Sequence, residues 1–420
     1  MKVVTIDINT FNNFVLNHPY GNFYQTSSYG SLMNKYGLKD LYLGFVEGTN
    51  MIGVTLIIHK PVCMGFKYAY APGGIVMDFT NTNIVMDVFK ALKNYLFKER
   101  FLVFKMDPNI VISIRDKKGQ VLEDNDSKNV IMNNLKAAGL FHCGFNNYFE
   151  SVKPRWHAVL NINKDASTIF NNLDKRTRNK LRRATKFGVE VYKDNSNDVS
   201  KVYEFIKANG KYSLNYYQDM ANSFGADLEV YFAKLNTSTY VENSRIAYER
   251  EIEINEYLNQ IIQSNGYKGK NMSKILNKKM ESDKLLGAYK GYLVHSTEVL
   301  KNNPDGLIIA GAIVIKYKNK VNLLIEGFNK EYTKLCPSYL IRWKIAEKYA
   351  GSEYVEFDMN AIAGKFGKTP NKYAGLNESK FSYNAKAEEY IGEFNMITNT
   401  PMYSLYKSLS PENNMNNQKK

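Results

Sequence analysis

A hairpin, a helix and a strand occur twice along this chain, in that order, and the repeat restricts the folds open to it. LYLGFVE (41–47) and MIGVTLII (51–58) are β-rich runs flanking the turn-like Gly48–Thr49–Asn50. In the following IVMDVFKALKNYLFKER, the residues Val88, Ala91, Leu92, Tyr95 and Leu96 recur at helical spacing, and FLVFKMDP is a strand stopped by Pro108. The same order returns later. LIIAGAIVIKY (307–317) and VNLLIEGF (321–328) flank the turn Lys318–Asn319–Lys320, SYLIRWKIAEKYAG is a helix closed by Gly351, and EYVEFDM is another strand. The pattern predicts two similar α/β halves, each a mixed sheet with helices packed on it. Such sheets occur in acyltransferases among many other proteins, so the pattern speaks to fold and not to activity.

Between the halves the texture changes. From Val241 to Gln263 and from Met272 to Leu300, charged residues alternate with apolar ones three and four apart. Ile254, Leu258 and Ile261 form one stripe, Leu286, Tyr289 and Leu293 the other, and SNGYKGKN between them reads as a turn. An antiparallel, coiled-coil-like helical hairpin inserted in the second half fits this pattern. Charge-laced helices are usually solvated faces, so the hairpin is a packing arm first and a partner contact second. The expected organisation is a first half over 1–150 completed by 386–420, a second half over 151–240 and 304–385, and the arm over 241–303.

Length and composition add bounds. A chain of 420 residues, 44% hydrophobic, can fill two or three cores. Its net charge of +15 favours an anionic partner such as RNA, phosphates or lipid headgroups. Cys63, Cys143 and Cys336 are isolated and odd in number, which argues for a reducing compartment rather than a disulfide framework. MKVVTIDINTF lacks a signal-peptide core, and the longest apolar run, Leu307–Ile315, is too short to span a bilayer. A cytoplasmic protein with at most peripheral membrane contact is expected. No pair among His18, His59, His142, His157 and His295 has metal-ligand spacing and no Cys-x-x-Cys occurs, so no metal site is expected. AGKFGKT (363–369) imitates a P-loop, but Ile362 stands where the first phosphate-cradling glycine is needed.

The most basic stretch is KRTRNKLRRATKFG, with seven cations between 175 and 188. A helix capped by Asp165 or Ser167 and ended by Gly188 would place Phe170, Leu173, Thr177, Leu181 and Ala184 on one stripe. Asp174 and Arg178 are spaced for a helical ion pair. Two readings stay open: a solvated face, or a phosphate-binding surface built from guanidinium forks.

In this order and over nearly the whole chain, these segments resemble the FemABX family of aminoacyl-tRNA-dependent transferases that build peptidoglycan interpeptide bridges, and its FemA branch most. NFYQTSSYG, FKYAYAPGGIVMD, FKMDP, PRWHAVLNI, the basic helix, PSYLIRWKIAEKYAG, GKFGK, KFSYNAKAEEYIGEF and TPMYSLY carry the resemblance. It implies an α/β fold of two GNAT-like halves with a helical arm. It also implies site residues. Lys380, in Ser379-Lys380-Phe381-Ser382-Tyr383, matches a lysine proposed to be catalytic, although Ser379 replaces the family's phenylalanine; Tyr383 of the same motif is expected at the substrate. Arg176-Thr177-Arg178 matches a phosphate-contacting Lys-Thr-Arg element, giving Thr177, Arg178 and nearby Arg182 substrate-binding roles. Asp107 matches an aspartate considered as a general base, and beside Pro108 it also reads as a strand-end cap. The family's other phosphate-contacting lysine aligns with Met33, with Lys35 two residues on, and its Arg-Gly-Pro becomes Gly73-Gly74-Ile75.

The implied reaction transfers an amino acid, glycine being expected, from charged tRNA to lipid II or UDP-MurNAc-pentapeptide. An aminoacyl ester is already activated, so no cofactor beyond the aminoacyl-tRNA co-substrate is expected, and a lysine can stabilise the oxyanion that forms. An acyl-CoA-dependent N-acyltransferase and a non-catalytic RNA-binding protein are the alternatives.

Overall fold

Both copies of the hairpin–helix–strand unit form. The computed structural model describes residues 1–420 except 63, 152, 209–211, 265–269, 368–370 and 410–420. In the first copy, strands Lys39–Glu47 and Asn50–Pro61 pair across a turn at Gly48, whose φ of 59° suits glycine. Helix Thr82–Lys98 starts at Asn81, which accepts the Ile84 N–H, and buries Val85, Val88, Phe89, Leu92 and Leu96. It returns the chain to strand Phe101–Met106, parallel to Lys67–Ala71. In the second copy, Leu307–Tyr317 and Lys320–Phe328 make the hairpin, helix Pro337–Tyr349 follows, and Glu356–Ala361 runs parallel to Lys320–Phe328.

Each copy seeds a sheet. The first has eight strands in the order Lys2–Thr5, Lys39–Glu47, Asn50–Pro61, Lys67–Ala71, Phe101–Met106, Phe394–Ile397 and Phe141–His142, with Val76–Met77 paired on Asn50–Pro61. The second has nine: Val189–Asp194, Leu228–Leu235, Leu307–Tyr317, Lys320–Phe328, Glu356–Ala361, Trp156–Asn161, Lys386–Tyr390, Val111–Arg115 and Val121–Asp124. The chain therefore crosses the expected boundaries in one direction, from the first half into the second sheet. Val111–Arg115 and Val121–Asp124, inside 1–150, extend the second sheet, as does Lys386–Tyr390; within 386–420 it is Phe394–Ile397 that closes the first sheet. Hydrophobic periodicity marks a strand but not which sheet edge it pairs with.

Each half has its own core, and a third cluster is contributed by both. Phe11, Val15, Leu56 and Ile58 from the first half pack with Val202, Tyr216, Phe232 and Ile313 from the second. The arm is present as helices Thr237–Gln263 and Lys270–Asn302; most of the expected turn between them lies outside the described residues. Its seam differs from the expected stripes. Leu258 is buried but Ile254 is 40% exposed, while Ser244, Ser282 and Ser296 are buried with Glu251 and Asn255. Ser282 donates to Glu251 at 2.6 Å and receives from Asn255 at 3.1 Å, so the hairpin is joined by polar bonds through a buried serine as well as by apolar contact. No helix among the described residues is long and apolar enough to cross a membrane.

Candidate functional site

The basic segment is two helices rather than one. Asp165 caps Ala166–Asn172 by accepting the Thr168 N–H, the chain turns extended at Leu173, and a second helix runs Lys175–Lys186. Arg178 does not pair with Asp174. Its guanidinium donates to the carbonyls of Asn171 and Leu173 at 2.5 and 2.8 Å, satisfying acceptors that the broken helix leaves open, while Asp174 meets Lys117 at 3.4 Å. Other cations lie over rings: Lys180 on Tyr339 at 3.9 Å, Arg182 on Phe170 at 5.7 Å and Arg183 on Tyr292 at 5.4 Å. Lys175, Arg176 and Lys186 face solvent. Thr177 faces the core, and its buried hydroxyl has no hydrogen-bond partner among the described residues.

The concave site lies elsewhere, between the halves. One cavity of about 390 Å³ and an adjoining one of about 210 Å³ share Phe23, Tyr24, Lys153, Leu324 and Asn360 as walls. The cause is a splay in the second sheet. Lys320–Phe328 and Glu356–Ala361 pair only from Lys320–Asn322 to Glu356–Asp358. Past that point Asn360, at φ 67°, bridges the gap by donating its side-chain amide to the Leu324 carbonyl at 2.9 Å. On the first-half side, Asp107 follows the end of strand Phe101–Met106 and accepts from Tyr70 Oη and the Gly73 N–H, both at 2.6 Å. Gly73 and Gly74 lie at φ 72° and 79°, and a Cβ on Gly74 would meet Pro108 Cα at 2.5 Å, so this wall requires glycine.

Charge is concentrated in the chamber. Burial raises the Asp107 carboxyl to about 6, against the pull of Lys153. Burial lowers the Lys153 ammonium, although Asp107 and Asp358 oppose the shift; its Nζ donates to Asn109 at 3.0 Å and stands 4.6 Å from the Tyr390 ring. Burial also works against the Asp358 charge. The His157 ring, Lys320 and the Asn360 N–H outweigh it and hold Asp358 well below the usual carboxylate range. Asp358 Oδ2 meets His157 Nδ1 at 2.8 Å and Oδ1 accepts the Asn360 N–H at 2.7 Å. Lys320 pairs with Glu356 at 2.6 Å and Glu388 at 3.6 Å along the larger cavity.

Of the catalytic and substrate-binding residues expected from the sequence, Asp107 alone lines this chamber, with Gly73 beside it in the wall. Lys380 is one layer behind, donating to the Ala361 carbonyl at 2.7 Å; burial first, then Arg342, lowers it to about 7. Tyr383 is fully buried, with its hydroxyl on the Tyr339 carbonyl at 2.6 Å. Lys35 pins two helices together through Asp219 at 2.8 Å, near the surface. Arg178, Thr177 and Arg182 belong to the basic helix. Sequence reading missed Lys153, His157 and Asp358. One signal was present: the closing strand of each repeat ends around an aspartate, FKMDP in the first and EFDMN in the second. Among the described residues no group of three His, Cys, Asp or Glu could hold a metal ion.

Two mixed α/β halves enclosing a charged chamber, with a helical arm on the second, define the class of fold. The chain belongs to the FemAB family, whose profile matches residues 6–410. Aminoacyltransferase FemA of Staphylococcus epidermidis is 25% identical over 97% of this chain and 99% of its own. Aminoacyltransferase FemA of Staphylococcus aureus strain MW2 is 24% identical over 97% and 98%. A crystal structure of FemX shares the fold, with a TM-score of 0.71 at 20% identity, covering 96% of this chain and 99% of that one.

Proposed function

We propose that this chain is an aminoacyltransferase that moves an amino acid, with glycine the first choice, from aminoacyl-tRNA to the stem or bridge peptide of a peptidoglycan precursor. The observation that carries the reading is the charged chamber between the halves of a FemAB-family chain, in which carboxylates and Lys153 face a space large enough for a peptide side chain. FemA relatives matching along nearly their full length support the reaction class.

In this reading an amine of the precursor enters the chamber and attacks the ester carbonyl of the charged tRNA. Negative charge builds on the carbonyl oxygen, and a preorganised cation lowers that barrier. Lys153 is the cation that lines both cavities; Lys380, buried behind Ala361, is the one the family resemblance implies. The outward-facing Lys175, Arg176 and Lys186 suit phosphates of tRNA or of the precursor, and a basic protein of this kind can work at an anionic membrane surface.

Purified protein mixed with glycyl-tRNA and either lipid II or UDP-MurNAc-pentapeptide tests the reading. Labelled glycine should appear on the precursor. Transfer from acetyl-CoA in place of glycyl-tRNA, or tRNA binding without transfer, would replace the reading with one of its alternatives.

A further inference from the structure

One pair in the chamber has the geometry of a base and its orienting acid. His157 is 6% exposed, lines the larger cavity, and faces Asp358 through Nδ1. Because Asp358 stays ionised and its other oxygen is occupied by the Asn360 N–H, it accepts rather than donates at His157. Nδ1 must then carry the hydrogen shared with Asp358, which leaves Nε2 as the ring nitrogen that can exchange a proton. That Nε2 is buried and has no hydrogen-bond partner among the described residues. Such a group calls for a partner that the described residues do not supply.

The surroundings favour this arrangement from every packed element. Strand Glu356–Ala361 contributes Asp358 and Asn360, and strand Lys386–Tyr390 contributes Glu388, in register with His157, and the Tyr390 ring at 5.2 Å. Strand Lys320–Phe328 contributes Lys320, and Lys153 lies on the approach to the strand that carries His157. Asp358 and the neighbouring strands hold the ring in place, while Lys153 supplies positive charge in the same cavity.

We infer that His157, oriented by Asp358, takes the proton from the attacking amine and returns it to the leaving ribose oxygen; the inference rests on the transfer reading above. The neutral amine nitrogen forms a bond to the ester carbonyl carbon and then carries one proton too many. That proton passes to Nε2. As the tetrahedral intermediate collapses, the C–O bond to the ribose breaks and Nε2–H gives the proton to the departing oxygen. The products are an amide and a free ribose hydroxyl, the ring returns to its starting form, and no further reactant is consumed. Asp358 is a positioning residue, fixing which nitrogen is free.

Steady-state transfer from glycyl-tRNA to lipid II tests this with the full chain. His157→Gln keeps a donor for Asp358 but no base, and kcat should fall by about 100- to 10,000-fold with both KM values within a few-fold of wild type. In His157→Ala, added imidazole should restore turnover at least tenfold, a recovery that a packing role does not give. Asp358→Asn, which leaves the ring in place, is the second arm should the histidine variants not fold, and it too should lose kcat rather than affinity. Turnover of folded His157→Gln within a few-fold of wild type overturns the inference. So does a loss that imidazole leaves unchanged, or an Asp358→Asn protein that is folded and fully active. A wild-type protein that transfers nothing overturns the parent reading instead, and this one with it.

Discussion

Lys153 and Lys380 are both lysines whose ammonium form burial disfavours, but they stand in different places. Lys153 borders both cavities and Lys380 reaches only a backbone carbonyl behind them. Lys153→Met is therefore expected to lower kcat by about 100- to 1,000-fold while the protein stays folded. Single-turnover assays in which Lys380→Met loses that much and Lys153→Met does not would move the oxyanion charge to Lys380. Lys380 also carries a stability prediction of definite sign. Burial takes it from the usual 10.5 to about 7, so between those values the unfolded chain binds a proton that the folded chain has released. Stability then rises with pH through that window. Thermal melts from pH 7 to 10 should show wild type gaining on Lys380→Met; a difference independent of pH would contradict the shift.

The break at Leu173 explains most of what the basic segment does as an element. Arg178 closes the open carbonyls of the first helix, so Arg178→Ala should cost about 1.5 kcal/mol, the low end for charge-assisted bonds because the guanidinium is half-buried. Urea denaturation measures this directly. A salt-sensitive loss of precursor affinity in the same variant would add the phosphate role that the family resemblance implies. In the arm, Ser244 is 0% exposed on a long helix that packs along its partner. Ser244→Leu should overfill the seam and destabilise the chain by about 1–3 kcal/mol. A melt unchanged from wild type would mean the arm packs more loosely than its burial indicates. The expected stripes hold except at Ile254, because a 3–4 spacing is shared by several faces of a long helix, and the seam also buries serines small enough for close approach.

At the scale of the molecule, the chamber exists because two sheets are held by a common core. Phe11 is 0% exposed in that core, on the helix that leads to the Pro19–Tyr24 wall. Phe11→Ala should cost about 3–5 kcal/mol and reduce transfer as well, since the wall loses its support. Chemical denaturation with parallel activity measurements would show it; a loss under 1 kcal/mol would mean the halves do not depend on this cluster. The crossing of strands has the same consequence. With Val111–Arg115, Val121–Asp124 and Lys386–Tyr390 in the second sheet, that half is not complete without chain expected in the first.

Local patterning carried the architecture: β-rich runs around turn residues, helical spacing, the Pro108 stop and the closing Gly351 marked both hairpin–helix–strand units, and charge-laced 3–4 spacing marked the two arm helices, because each depends on residues close in sequence. Patterning gave Asp107 only as a strand-end cap beside Pro108; its place at the site was implied by the family resemblance. His157, Asp358 and Lys153 were not legible in the same way. Their chemistry arises from strands 200 residues apart lying side by side and from a splay that leaves a cavity unfilled; a spacing rule sees a lone histidine, an ordinary strand aspartate and one more lysine. Desolvation and partner geometry make these groups distinctive, and both are properties of the assembled sheets.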